Sequence, residues 1–103
     1  MASQSIRIVA EVTAHPGRSE ELWQNLAELV EPTRKEAGNI SYDILQDLDN
    51  PDHFLFYEEW ESREYFERHL ESPHVADYDR ATRHLISISV RISVCTLRTD
   101  LKA

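Results

Sequence analysis

Residues Asp43–Val75, DILQDLDNPDHFLFYEEWESREYFERHLESPHV, spell a strand, a turn, a second strand and a helix in immediate succession. Asp49-Asn50-Pro51-Asp52 is turn chemistry, because Asn tolerates left-handed backbone angles and Pro fixes its own φ. It lies between two runs rich in β-branched and aromatic residues, which predicts a hairpin with strands at Ile40–Asp47 and His53–Trp60. Ser62 is placed to cap a helix over Ser62–Ser72, with Glu64 in its first turn and Pro73 stopping it. His69 and His74 bracket that stop.

Upstream, Ser5–Thr13 alternates, with Ile6, Ile8, Ala10 and Val12 on one face and Arg7, Val9 and Glu11 on the other, which predicts the first strand. After Pro16-Gly17, Leu22, Leu26, Leu29, Val30 and Thr33 recur at helical spacing, and Trp23 and Ala27 widen the stripe. That helix is expected to end near Gly38, with Pro32 loosening its last turn. Downstream, Val75, Tyr78, Thr82 and Leu85 mark a further helical segment. Ile86–Leu97 reads as the last strand, with Ile86, Ile88, Val90, Ile92 and Val94 on a single face and Ser87, Ser89, Arg91, Ser93 and Cys95 on the other. His53–Trp60 is apolar on both sides, Phe54 and Phe56 against Leu55 and Tyr57, as in a central strand covered twice.

The order βαββαβ predicts one α+β domain over residues 1–103, ferredoxin-like (split βαβ), with a four-stranded antiparallel sheet and helices on one face. Val9, Leu45, Leu55 and Tyr57 then fall on the other face, which is more apolar than a solvated face should be. A homodimer packed sheet to sheet is the expected cover.

Composition narrows the classes of function. With 19 acidic against 11 basic side chains the formal charge is −8, so phosphate backbones and anionic membranes would be repelled. No nucleic acid partner is expected. No apolar run approaches the roughly 20 residues that span a bilayer, and no basic-then-apolar export signal is visible, so no membrane partner and a cytoplasmic location are expected. The single cysteine, Cys95, has no partner for an internal disulfide or a thiolate metal site, in keeping with a reducing compartment. Only two glycines are present and none forms a phosphate cradle, so no dinucleotide cofactor is expected.

The run LQDLDNPDHFLFYEEWESREYFERHLESPHV, preceded by IVAEVTAHPG and RKEAGNISYDILQD, resembles the antibiotic biosynthesis monooxygenase family of small dimeric proteins over nearly the whole chain. The pairing of EEWES with HLESPH carries most of the signal. The resemblance implies a ferredoxin-like dimer with a pocket between sheet and helices in each subunit. Members of the family include cofactor-free oxygenases of quinols and polyketide phenols, haem-degrading enzymes, and an isomerase of a signalling-molecule breakdown product. Trp60 matches the pocket tryptophan of the polyketide branch, and Arg80 falls near that branch's arginine. Its tyrosine is replaced by Phe66, beside Tyr65, and its asparagine by Phe56. The haem branch's asparagine, helix tryptophan and axial histidine correspond to Ala10, His69 and a position near Asp79, so haem is not expected. His69 and His74 are closer to the quinol-oxygenase and isomerase branches, which implies a substrate that is a small aromatic or carbonyl compound, with O2 and no cofactor in the oxygenase case.

Taken on their own chemistry, the same residues leave alternatives open. His69 shares a helical face with Tyr65, Phe66 and Leu70. It is either a base near neutral pKa that takes a phenolic or α-keto proton, or a boundary histidine bonded to a carbonyl. Its own burial is expected to matter little for stability. His74 lines the mouth of the pocket or lies in a surface loop. Trp60, Phe54 and Phe56 are core, or an aromatic wall for a flat ring, and Tyr78 is counted with the pocket. Glu58 is a buried acid of raised pKa or the ion-pair partner of Arg80 or Arg91, the pair being the expected outcome. A zinc site from His69 and His74 lacks a third ligand in sequence, so no metal is expected. An oxygenase, an isomerase and a ligand-binding dimer without catalysis all fit this pattern.

Overall fold

The computed structural model describes residues 5–100, in the order β1 (Ile6–Ala14), α1 (Ser19–Arg34), β2 (Asn39–Gln46), β3 (His53–Trp60), α2 (Arg63–Leu70), α3 (Pro73–Thr82) and β4 (Ile86–Cys95). The four strands form one antiparallel sheet in the order β2-β3-β1-β4, the ferredoxin-like arrangement, with the helices on one face.

The hairpin forms where its turn chemistry places it. Asp47 Oδ1 accepts from the backbone N–H groups of Asp49 and Asn50, and Asn50 Oδ1 accepts from that of Asp52, so the turn satisfies its own donors. His53 then bridges Asp47 through Nδ1 and Glu11 of β1 through Nε2, which ties the hairpin to its neighbour on the face away from the helices. Ser62 and Ser72 each accept from the N–H three residues on, capping α2 and α3, and Pro73 occupies the first turn of α3, where no backbone donor is needed.

The inner face buries Ile8, Ala10, Val12 and Ala14 of β1 and Phe54, Phe56 and Trp60 of β3 against Leu22, Leu26 and Leu29 of α1 and Phe66 of α2. Each large side chain fully removed from water contributes roughly 1.5–3 kcal/mol. The outer face is left uncovered: Leu45, Tyr57 and Ile88 are exposed, and Val9 and Leu55 are half-buried.

Three expectations about the elements do not hold. The apolar stripe of α1 is narrower than its sequence spacing implies, because Trp23 and Ala27 are exposed; the Trp23 ring instead stacks on Phe54 at 6.3 Å. The helix ends at Arg34, and the turn to Gly38 lies outside it. In β4 two register shifts against β1 break the single apolar face. Ile86 pairs with Ala14 and Ile92 with Ala10 on the inner side, whereas Ile88 pairs with Thr13 on the outer side.

Gly38 decides how that turn meets the rest of the chain. Its φ of +82° is one that L side chains rarely adopt, and a Cβ there would overlap the Tyr65 ring. Its carbonyl accepts from Glu61 N–H at 2.8 Å. The turn after α1 therefore lies directly against α2, which delivers Glu36 to His69.

Candidate active site

Between the inner sheet face and the helices lies a cavity of ≈ 350 Å³. Its walls are mostly apolar, among them Phe56 of β3, Phe66 of α2 and Val75 of α3, with the exposed side chains of Val90 and Ile92 on β4 at its rim. The polar groups that reach it are few: Glu58, His69, Tyr78, Tyr42 and Asp79. An apolar hollow with a small number of convergent polar groups is the general form of a small-molecule site.

His69 is 4 % exposed, close to the rings of Trp60 at 4.9 Å, Tyr42 at 5.8 Å and Phe66 at 6.1 Å. Its Nδ1 meets Glu36 Oε2 at 2.5 Å, and the same oxygen meets His74 Nε2 at 2.9 Å. Facing the carboxylate oxygen of Glu36, His69 donates through Nδ1, which leaves the Nε2 lone pair without a partner among the described residues. Burial holds His69 below the ordinary imidazole range, against the opposing pull of Glu36, so the ring is uncharged at neutral pH.

Glu58 is 4 % exposed. Burial pushes its carboxyl up to about 7, while the hydrogen bond that Trp60 Nε1 donates to Oε1 at 2.9 Å pulls the other way. Near neutral pH it therefore holds its proton for much of the time. Burial also pushes the Tyr78 phenol up to about 12 and raises that of Tyr42, so both are neutral. The Tyr78 hydroxyl is buried with no hydrogen-bond partner among the described residues. The cavity thus combines a neutral base, an acid that is protonated about half of the time near neutral pH, and an unpaired phenol.

Of the residues singled out in the sequence, His69, Phe56, Glu58, Phe66 and Tyr78 line this cavity. Trp60 does not; it is fully buried behind, where its ring packs by His69 and its N–H holds Glu58. Phe54 borders a separate hollow of ≈ 280 Å³ with Trp23 and Ile44. Tyr65 packs over Gly38, and His74 lies behind His69, joined to it through Glu36. Arg80 is exposed and pairs with Asp77 one helical turn away, and Arg91 is exposed on the outer row opposite Glu11. Neither reaches Glu58, so the expected ion pair is absent and the acid is neutralised by its own raised pKa. The premise that no third donor accompanies His69 and His74 also fails, because the carboxylate of Glu36, 33 positions before His69, lies within hydrogen-bonding distance of both.

Residues 5–81 match the family model described as Antibiotic biosynthesis monooxygenase. The chain is similar to the Pseudomonas aeruginosa protein PA3566, whose crystal structure superposes with a TM-score of 0.87 at 33 % identity, covering 94 % of this chain and 98 % of that one. It is 26 % identical over 98 residues to the Escherichia coli protein named Probable quinol monooxygenase YgiN, covering 84 % of this chain and 94 % of that one. It is also 26 % identical over 93 residues to the Synechocystis protein sll1783, where the match takes in 90 % of this chain but 63 % of the relative's length. Among the described residues, no helix is long and apolar enough to cross a membrane.

Proposed function

The chain belongs to the antibiotic biosynthesis monooxygenase family, and we propose that it oxidises a small quinol or related electron-rich phenol with O2, using no cofactor. The observation that carries this reading is the Glu36–His69 dyad at the wall of an apolar cavity that Glu58 also lines. A ring seated between Phe56, Phe66 and Tyr78 presents a hydroxyl to His69 Nε2, which takes its proton. Glu36 fixes the tautomer and stabilises the imidazolium that forms. The phenolate is rich enough in electrons to reduce O2 itself, and the apolar walls shield the resulting peroxide from water. Protonated Glu58 supplies the proton that lets the distal peroxide oxygen leave as water. One quinol and one O2 give one hydroxyquinone and one water, so the balance needs no external reductant. The name of the similar Escherichia coli protein supports the same class of substrate.

The experiment is oxygen uptake by the purified protein over a panel of benzo- and naphthoquinols, with no haem, flavin or metal added. The expected result is uptake matched one to one by hydroxyquinone. A base facing an acid also suits enolisation of a small carbonyl compound. Turnover of such a compound without oxygen consumption, with every quinol inert, would establish the isomerase instead.

The same reading includes a homodimer built on the outer sheet face, where Tyr57 is 42 % and Leu45 51 % exposed beside Leu55 and Val9. Tyr57→Asp or Leu55→Asp should yield monomers or insoluble protein. A stable wild-type monomer in sedimentation at micromolar concentration would remove this part of the proposal.

A further inference from the structure

Glu36, His69 and His74 come from three elements: the turn after α1, the last turn of α2 and the first turn of α3. One ligand atom from each lies within 4.8 Å of the other two. We propose that the trio binds one divalent transition metal of the zinc type and that the bound metal switches His69 off as a base. The binding half stands on this geometry alone; the switching half rests on the function proposed above.

Two imidazoles and a carboxylate are the protein ligands of open zinc centres, which keep a fourth position for water. Such donors favour zinc, cobalt or nickel over the harder magnesium and calcium. Metal–ligand bonds of about 2.0–2.2 Å in a tetrahedral site place the ligand atoms about 3.3 Å apart. The two contacts of Glu36 Oε2, at 2.5 and 2.9 Å, therefore each open by less than about 1 Å to admit the ion. Glu36 and His74, with side chains 18 % and 23 % exposed, have more room for that adjustment than His69 at 5 %. A groove of ≈ 180 Å³ bounded by Asn25, Glu28, His74 and Asp77 flanks His74, and its carboxylates together with the net charge of −8 draw cations toward it.

The consequence for His69 follows from its two nitrogens. Hydrogen-bonded to Glu36, the neutral ring carries its proton on Nδ1 and keeps the Nε2 lone pair. With a metal on Nδ1, the ring's proton resides on Nε2, with no net proton gained or lost by the ring. His74 makes the reverse exchange, from Nε2–H to Nδ1–H. The lone pair that would accept a substrate proton is then gone.

The test titrates chelator-treated, full-length protein with Co2+ and reads its visible absorption. The expected result is one Co2+ per chain with the intense bands of a four- or five-coordinate ion, displaced by stoichiometric Zn2+. His74→Gln keeps a donor toward Glu36 but removes a ligand, and Glu36→Gln removes the anionic one; each should weaken Co2+ binding by at least the roughly 10- to 100-fold that loss of an outer-shell partner costs. His84→Gln, at an exposed position after α3, should not. In the wild type, Co2+ should shift the ring protons of His69 and His74 but not those of His15, His53 or His84, a reading independent of how any variant folds. Weak six-coordinate absorption, unchanged affinity in His74→Gln, or shifts confined to the other histidines would overturn the site. Zn2+ that binds here without slowing oxygen uptake would overturn the switch and leave the site. Inert quinols would count against the proposed function while the titration still decides the site.

Discussion

His69→Gln is expected to lower the rate of oxygen uptake by about 10²- to 10⁴-fold, equivalent to roughly 3–5 kcal/mol of barrier. The amide has no lone pair of comparable basicity, so the substrate must ionise without help. The sequence alone suggested that stability would barely change, on the view that this ring's burial contributes little. At 4 % exposed, with its Nδ1 on Glu36 and Trp60 and Phe66 around it, the residue is part of the core. A stability loss of about 1–3 kcal/mol accompanies the substitution. In a domain of this size that lowers Tm by roughly 4–8 °C per kcal/mol. Rates are therefore compared at a temperature where both proteins are fully folded. A saturating rate equal to wild type between about pH 6 and 8 would assign the proton transfer elsewhere, and His69 would then be a core residue held by Glu36.

The fold was readable because its strands and helices carry strong periodicity bounded by real stop signals. Asp49-Asn50-Pro51-Asp52 closes the hairpin, Ser62 caps α2, and Pro73 keeps that helix from running on. The remaining features lack a local signature in the sequence. The register shifts of β4 occur between Ile86 and Arg91, where neither glycine nor proline marks a bulge, so strict alternation predicted one apolar face. Trp23 fits the apolar spacing of α1 yet lies at the sheet's margin, stacked on Phe54 and partly open to solvent. Period alone cannot tell a core side chain from one that covers an edge.

The site divided in the same way. Phe56, Phe66, His69 and Tyr78 are inner-face positions of their elements, so alternation and helical spacing place them together. Glu58 lies on that same row, and the expectation of an arginine partner failed because both candidate arginines point away. Glu36 carries no comparable signal in the sequence. It belongs to a polar turn, RKEAG, that reads as solvated, and its distance from His69 in the chain is 33 positions. The one hint was Gly38, a residue needed for positive φ and for close contact with Tyr65. That hint concerns the backbone path and carries no sign of a histidine at the other end.

Glu58 makes the chain less stable as pH rises, by an amount that a single substitution isolates. Its carboxyl titrates at about 7 in the folded protein against the ordinary glutamate value of 4.5, chiefly through burial. Between those values the folded chain holds a proton that the unfolded chain has released. The stabilisation is fully present below about pH 4.5, declines as pH rises and is gone above about 7, a total of about 3 kcal/mol. The groups facing Glu58 keep the sign. Glu36 repels its charge, Tyr42 across the β2 pairing is neutral, and His69 is held neutral by burial. Glu58→Gln keeps an oxygen for the Trp60 N–H and removes the titration. Urea unfolding at pH 5 and pH 8 should therefore show the variant gaining about 2.5 kcal/mol on the wild type between the two, with the larger advantage at pH 8. Parallel pH profiles would mean that the carboxylate is ionised throughout. The proton assigned to it in releasing water from the peroxide would then have to come from the imidazolium that His69 becomes.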